Sequence, residues 1–132
     1  MDFFAINLFY QSEDARAVFK DGGATELTTA LHEFSEWISQ IEKLKSRIIW
    51  GNGATFDNVI LRNAYQACSL EVPWVFYNDR DVRTIVDLGR TLRNFNLKKD
   101  MPFTGTVHNA LDDAKHQAKY VSAIYQALKI EA

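Results

Sequence analysis

The spacing of apolar residues along the chain predicts four helices. From Thr25 to Leu44, apolar side chains recur every three or four positions, the pattern of an amphipathic helix about five turns long. The same periodicity predicts helices over residues 56–70 and 81–95 and a long final helix from His108. Residues 3–20 have the composition of one or two further short helices.

Two short apolar segments between these helices predict strands. The sequences "SRIIWG" (46–51) and "WVFYN" (74–78) are rich in β-branched and aromatic residues. Strands that alternate with helices favour an α/β fold with parallel strands. Because a sheet normally needs three or more strands, either residues 3–10 hide another strand or part of the sheet is missing.

Composition narrows the class of protein. The 132 residues fit a single domain, with 47% hydrophobic and 24% charged residues. No apolar run reaches the roughly 18–20 residues that a membrane span requires, and no signal peptide is recognisable, so a cytoplasmic location is the simplest interpretation. A single cysteine, Cys68, excludes a disulfide framework and a thiolate zinc site.

Charge does not indicate a general nucleic-acid binder. The net charge is −2, although residues 80–99 carry six basic side chains against two acidic ones. Such a stretch could contact phosphates or could simply be a solvated helix face.

The segment "HNALDDAKHQAKYV" (108–121) concentrates titratable side chains at a helix start. Asp112 and Asp113 would be stabilised there by the helix dipole alone. His108, which follows a loop, is not explained in that way, and its unperturbed pKa of about 6.5 suits proton transfer. The spacing leaves both interpretations open.

The segment "WGNGATFDNVIL" (50–61) is the second candidate. Asp57 follows a predicted strand and a glycine-rich turn, where α/β folds place ligand chemistry. The alternative is that Asp57 or Thr55 caps the next helix. With Asp113, Asp57 would offer hard oxygen ligands for Mg²⁺ or Mn²⁺, and His108 could accept a proton during phosphodiester hydrolysis.

These segments resemble motifs of the DEDD exonuclease superfamily. "NGATFDNVIL" resembles its second motif, and "HNALDDA" resembles the third motif, His-x-Ala-x-x-Asp, of the histidine subclass (DEDDh). Together with "DVRTIVDLGR", they resemble phage- and prophage-encoded 3′–5′ exonucleases related to a bacterial 3′–5′ exoribonuclease group. The resemblance extends from about residue 6 to the end of the chain.

The resemblance implies a ribonuclease H-like fold and a two-metal hydrolysis of nucleotides from a single-stranded 3′ end. It implies His108 as the general base, Asp57 and Asp113 as ligands of Mg²⁺ or Mn²⁺, and Asp112 as incidental. Substrate contacts would come from residues around these motifs, namely Asn52, Phe56, Asn58, Asp81 and Arg83. DNA and RNA substrates are not distinguished, and for Asp81 the role of helix cap is expected ahead of a substrate contact.

The sequence departs from the family in one respect, because it contains no Asp-x-Glu first motif. We therefore expect a partial exonuclease domain without its first strands, with weak metal binding, impaired activity and a tendency to form homodimers. Two alternatives remain: a catalytically inactive prophage remnant that acts as a folded or dimerising module, and an unrelated α/β binding domain whose acids are caps.

The other aromatic residues near the motifs, the cysteine and the second histidine of the last helix are expected to lie outside the catalytic site. Trp50, Trp74, Phe56 and Cys68 are predicted to be buried, and His116 is predicted to be a solvated helix residue.

Overall fold

The computed structural model describes residues 25–94 and 96–129. The helices predicted within residues 3–20 and the strand considered at 3–10 lie outside this part of the chain. The chain divides into two compact units, one formed by Thr25–Leu88 and one that includes Gly89–Ala132. The prediction of a single domain stays a prediction.

The first unit is built around a two-stranded parallel sheet. Helix α1 (Leu27–Ser39) precedes strand β1 (Ile49–Gly51), and helix α2 (Asp57–Ala67) connects β1 to strand β2 (Asp79–Asp81). Helix α3 (Val82–Arg93) follows β2 directly. The strands pair in register from Ile49 opposite Asp79 to Gly51 opposite Asp81. This arrangement is compatible with the predicted α/β class; the ribonuclease H-like fold stays a prediction.

The core of the first unit lies between α1 and α2. Leu31, Ile38, Tyr65 and Trp74 are buried there, which confirms that Trp74 belongs to the core. The Tyr65 hydroxyl donates a hydrogen bond to the Leu31 carbonyl at 2.9 Å, so the polar end of this ring is satisfied inside the core. Burial raises the pKa of Tyr65, and a hydrogen bond with Ser35 lowers it by less.

An ion pair supports the same core from its edge. Asp79 accepts hydrogen bonds from the Trp74 indole at 2.8 Å and from the Arg62 guanidinium at 3.2 Å. The guanidinium also lies 4.7 Å from the centre of the Trp74 ring, a cation–π distance. The start of β2 is thereby attached to both α2 and the core.

The second predicted strand is wrong in position. Residues 74–78 form a buried tryptophan followed by a 3₁₀ turn, Phe76–Asn78, and the strand is the polar segment Asp79–Asp81. Aromatic composition suggested a strand, but Phe76 is 74% exposed. Asn78 instead turns the chain, because its buried amide donates to the carbonyls of Lys45 and Arg47.

The first predicted helix is too long at its C-terminal end. Helix α1 has 13 residues and ends at Ser39, and the apolar residues beyond it, Ile41 and Leu44, are 45% and 47% exposed. The apolar periodicity continues after the helix has ended, where Ile41 lies in the connecting segment and Leu44 begins a 3₁₀ turn, Leu44–Ser46. The helices predicted over 56–70, 81–95 and from 108 are observed as α2, α3 and α5.

The second unit contains helix α4 (Leu97–Asp100) and helix α5 (Ala110–Leu128), which contact each other. Tyr120, Val121 and Ile124 are buried on one face of α5. The prediction that His116 is solvated is wrong, because its ring packs against two aromatic rings. The centre of its ring lies 4.9 Å from that of Phe103 and 5.3 Å from that of Tyr120. Among the described helices, none has the length and apolar character for crossing a membrane.

Candidate active site

The carboxyl end of the sheet carries the turn that presents the second motif. This glycine turn, residues 52–56, leaves β1 and enters α2 at Asp57. Asp81, the last residue of β2, fixes it, since one carboxylate oxygen accepts the Ala54 amide hydrogen at 2.8 Å. The other oxygen accepts the Arg83 amide hydrogen at 2.7 Å at the start of α3. The bond to Arg83 confirms the expectation that Asp81 caps a helix. The bond to Ala54 means that Asp81 also holds the glycine turn.

The electrostatics of Asp81 follow from these bonds. Partial burial raises the pKa of its carboxyl. Hydrogen bonds from the amides of Ala54, Arg83 and Thr84, together with the charge of Arg83, lower this pKa, and their combined effect is larger than that of burial. The pKa therefore lies below its ordinary value of 3.8. Asp81 is therefore a charged carboxylate with a structural role at this end of the sheet.

Asp57 has a different environment. It is the first residue of α2, and no side chain caps that helix: the preceding residue, Phe56, has no capping group, and the backbone closes the turn by bonds to the Gly53 carbonyl. The Asp57 side chain is exposed and accepts no hydrogen bond from another described residue. The structure therefore gives no support to capping by Asp57 or Thr55 and leaves the Asp57 carboxylate available to a ligand.

The two asparagines of the second motif have different surroundings. Asn58 is 1% exposed, its amide donates to the Ile49 carbonyl at 3.4 Å, and its oxygen occupies the space that a side chain on Gly51 would need. These contacts favour a structural role for Asn58. Asn52 differs, because its buried side-chain oxygen has no hydrogen-bond partner among the described residues. A buried acceptor without a donor is costly, which makes Asn52 a candidate ligand contact.

Phe56 and Arg83 lie on either side of the glycine turn. The prediction that Phe56 is buried is wrong, because its ring is 64% exposed beside Asp57. The Arg83 guanidinium lies over Gly53, 3.4 Å from the position that a Cβ would take there. The structure shows no ion pair for Arg83 within the described residues, although its charge lowers the pKa of the nearby Asp81 carboxyl.

The third motif begins with a tight turn. Residues 106–109, which we call the histidine turn, are closed by a hydrogen bond of 3.1 Å from the Asn109 amide to the Thr106 carbonyl. His108 occupies the third position of this turn with φ +68° and is exposed. The two other non-glycine residues with positive φ in the described chain, Ser69 and Asn94, lie one or two residues beyond the ends of α2 and α3, where such geometry is common. At His108 it costs roughly 1 kcal/mol or more.

The start of α5 is capped by Asn109 and not by an aspartate. The Asn109 side chain accepts the amide hydrogens of Leu111 at 3.1 Å and Asp112 at 3.2 Å. Asp112 accepts the Thr106 amide hydrogen at 2.9 Å, so its carboxylate is used inside the loop. Asp113 accepts no hydrogen bond from a described residue. Of the adjacent pair, Asp113 is thus the carboxylate without a hydrogen bond from a described residue.

Asp113 lies toward the buried face of α5. It is half-buried, and its charge reaches Tyr120, two turns along the helix. Burial raises the pKa of Tyr120, and the charge of Asp113 raises it further. The Asn109 cap could have been recognised in the sequence, since an asparagine directly before a helical pattern is a frequent N-cap. The Asp112–Thr106 bond has no comparable sequence signal.

The donor chemistry at Asp57 and Asp113 fits Mg²⁺ or Mn²⁺, since both are carboxylates without hydrogen-bond partners in the described residues. The number of donors is smaller than a complete site requires. No group of three or more His, Cys, Asp or Glu side chains suited to a metal occurs within residues 25–94 and 96–129. Each of these carboxylates could hold a metal only together with further ligands.

Comparison with known proteins gives one family. A family model described as the 3'-5' exoribonuclease Rv2179c-like domain matches residues 9–125. Searches of curated proteins and of solved structures gave no match. The predicted 3′–5′ exonuclease family is confirmed at this level, while the histidine subclass and the phage type stay predictions. Since the matched stretch covers most of the 132 residues, the chain belongs to the Rv2179c-like 3'-5' exoribonuclease domain family.

Proposed function

We propose that the site of this chain belongs to a 3′–5′ exonuclease of the histidine subclass, related to phage and prophage enzymes. It would hydrolyse phosphodiester bonds one nucleotide at a time from a single-stranded 3′ end of DNA or RNA. The observation that carries the proposal is a difference in hydrogen bonding among four aspartates. Asp81 and Asp112 are engaged in backbone hydrogen bonds, while Asp57 and Asp113, the two motif positions, are not.

Each residue has a role in this proposal. Asp57 and Asp113 would hold Mg²⁺ or Mn²⁺, and a bound dication supplies charge stabilisation at the reacting phosphate. His108 would accept the proton of the attacking water from its exposed position in the histidine turn. Phe56 offers an exposed ring for stacking a base, and Arg83 a cation for a phosphate.

The proposed activity of the 132-residue chain is low. It contains no Asp-x-Glu sequence, and two carboxylates are a weak site for cations that lose water reluctantly. We therefore expect weak metal binding and slow trimming, and a chain that also carries an Asp-x-Glu strand should be much faster.

A second candidate function is an inactive folded module, a prophage remnant that could act as a homodimer. The departure from the exonuclease motifs, a sequence without Asp-x-Glu, is the observation that favours it. It predicts no metal-dependent trimming under any condition, which separates it from the first proposal.

The deciding experiment is a trimming assay with 3′-labelled single-stranded DNA and RNA in Mn²⁺, together with calorimetric titration of Mn²⁺. We expect slow trimming that Asp57→Ala, Asp113→Ala and His108→Ala each abolish, with unchanged folding by circular dichroism. Glu36→Ala, which removes an exposed acid of α1, is the control and should trim like the parent chain.

Two outcomes would contradict the proposal. Trimming that survives Asp57→Ala and Asp113→Ala would remove these carboxylates from the site. Complete inactivity of the parent chain, also after fusion of a strand carrying Asp-x-Glu, would establish the inactive module instead.

A further inference from the structure

We infer that Asp112 is the positioning residue of His108: its carboxylate holds the histidine turn in the conformation from which His108 acts. The inference rests on the proposed function, in which His108 is the base. It assigns a role to the acid that the motif comparison leaves incidental.

The first step is that the histidine turn is held at both ends. At its beginning, the Thr106 amide donates to the Asp112 carboxylate at 2.9 Å. At its end, Asn109 is attached to α5 through two side-chain bonds to helix amides. His108 lies between these two attachments, so neither end of the turn can move without breaking a bond to the first turn of α5.

The second step is the close approach of the loop to Asp112. Gly105 has φ +114°, and a Cβ built there would lie 2.5 Å from the carboxyl carbon of Asp112. The backbone can adopt this conformation and approach the carboxylate only because residue 105 has no side chain. The loop backbone at Gly105 and Thr106 therefore packs against one side of the Asp112 carboxylate.

The third step concerns the conformation of His108 itself. Its φ of +68° is unfavourable for a residue with a side chain and persists only where the surrounding structure enforces it. In the described loop the bonds on both sides of His108 are those of Asp112 and Asn109. Asn109 fixes the helix start, whereas Asp112 is the side chain that reaches back across the turn. Without it, we expect the turn to relax toward conformations in which His108 loses this backbone geometry.

The inference predicts that Asp112→Ala loosens the histidine turn and that Asp112→Asn leaves it ordered. Asparagine keeps an oxygen acceptor for the Thr106 amide and removes the charge, whereas alanine removes both. Amide hydrogen exchange by NMR should show fast exchange at Thr106 in Asp112→Ala and protection near the parent level in Asp112→Asn. The ¹⁵N{¹H} NOE of His108 should fall in the first variant and recover in the second. Amides of Val121 and Ile124, in the middle of α5, report whether the helix remains folded.

Trimming kinetics provide the readout that a purely structural role would not give. Displacement of a catalytic group by about 1 Å costs on the order of a hundredfold in rate, so Asp112→Ala should lower kcat by about ten- to a hundredfold with KM unchanged. Gly105→Ala disturbs the same contact from the loop side and should give the same pattern. Glu36→Ala, at an exposed acid of α1, should change neither NMR measurement nor kcat.

The results separate this inference from the proposed function. If Asp112→Ala leaves the exchange of Thr106 and the order of His108 unchanged, the inference is overturned, whatever His108→Ala does to trimming. A loss of kcat in Asp112→Ala that Asp112→Asn does not restore would also overturn it, because charge and not turn geometry would then be responsible. If the turn loosens as expected but His108→Ala trims normally, the proposed base fails and with it the catalytic role of Asp112.

Discussion

The Asp81 carboxylate accepts a hydrogen bond from the backbone amide of Ala54 at 2.8 Å, across 27 positions of sequence. With its second bond to the Arg83 amide, it connects the end of β2, the glycine turn and the start of α3. The turn that presents Asp57 is thus fixed by a side chain from the neighbouring strand.

Loss of this carboxylate should destabilise the first unit. Asp81→Ala removes a helix cap, which costs about 0.5–2 kcal/mol, and leaves the Ala54 amide without its acceptor. We expect a total of about 2 kcal/mol in the free energy of unfolding, measured by urea denaturation. Asp57→Ala, at an acid without such bonds, is the matched control and should lose about 1 kcal/mol or less, the value of a helix-dipole contact. Equal losses in the two variants would contradict the assignment.

The same group should make stability depend on pH. The folded-state pKa of Asp81 is lowered, so its contribution is present above its unfolded value of about 3.8 and is lost as the pH falls through the folded value. The difference in unfolding free energy between the parent chain and Asp81→Asn should therefore be constant near neutral pH and shrink below about pH 4. Urea titrations at several pH values measure it, and a difference that grows on acidification would refute the lowered pKa.

Removal of Asp79 should be more damaging than its partial exposure suggests. Asp79→Ala leaves the Arg62 guanidinium and the Trp74 indole N–H without their acceptor. Breaking a fully buried pair costs roughly 3–5 kcal/mol. Because the Arg62 and Asp79 side chains are 21% and 25% exposed, we expect a smaller loss of about 2 kcal/mol by thermal denaturation. Asp79→Asn keeps an acceptor for Trp74 and should recover part of the loss. A change within experimental error in Asp79→Ala would show that water replaces the carboxylate.

Phe56 should contribute to nucleic-acid binding and not to folding. Its ring is 64% exposed, so Phe56→Ala should alter the unfolding free energy by no more than about 0.5 kcal/mol. Stacking on a base is worth about 1–3 kcal/mol, so the affinity for a labelled single-stranded oligonucleotide should fall by about fivefold or more in fluorescence anisotropy. Trp37, which is also 64% exposed but lies on α1, provides the control Trp37→Ala. Equal weakening in both variants would indicate nonspecific contacts.

The helices were determined by the sequence itself. The positions of α2, α3 and α5 follow from apolar residues at spacings of three and four, because a helix forms its hydrogen bonds within a single segment. The two motifs, with Asp57, His108 and Asp113, are also contiguous and can be recognised without a structure.

Only the tertiary structure decided which polar side chains are engaged. Asp81 and Asp112 resemble Asp57 and Asp113 in sequence, yet their carboxylates bind the amides of Ala54 and Thr106. The strand Asp79–Asp81 was missed for a related reason, because its polar side chains are satisfied by Arg62, Trp74 and the glycine turn. A hydrogen bond between separated residues depends on how the chain brings them together, and the local pattern of apolar and polar residues does not encode that.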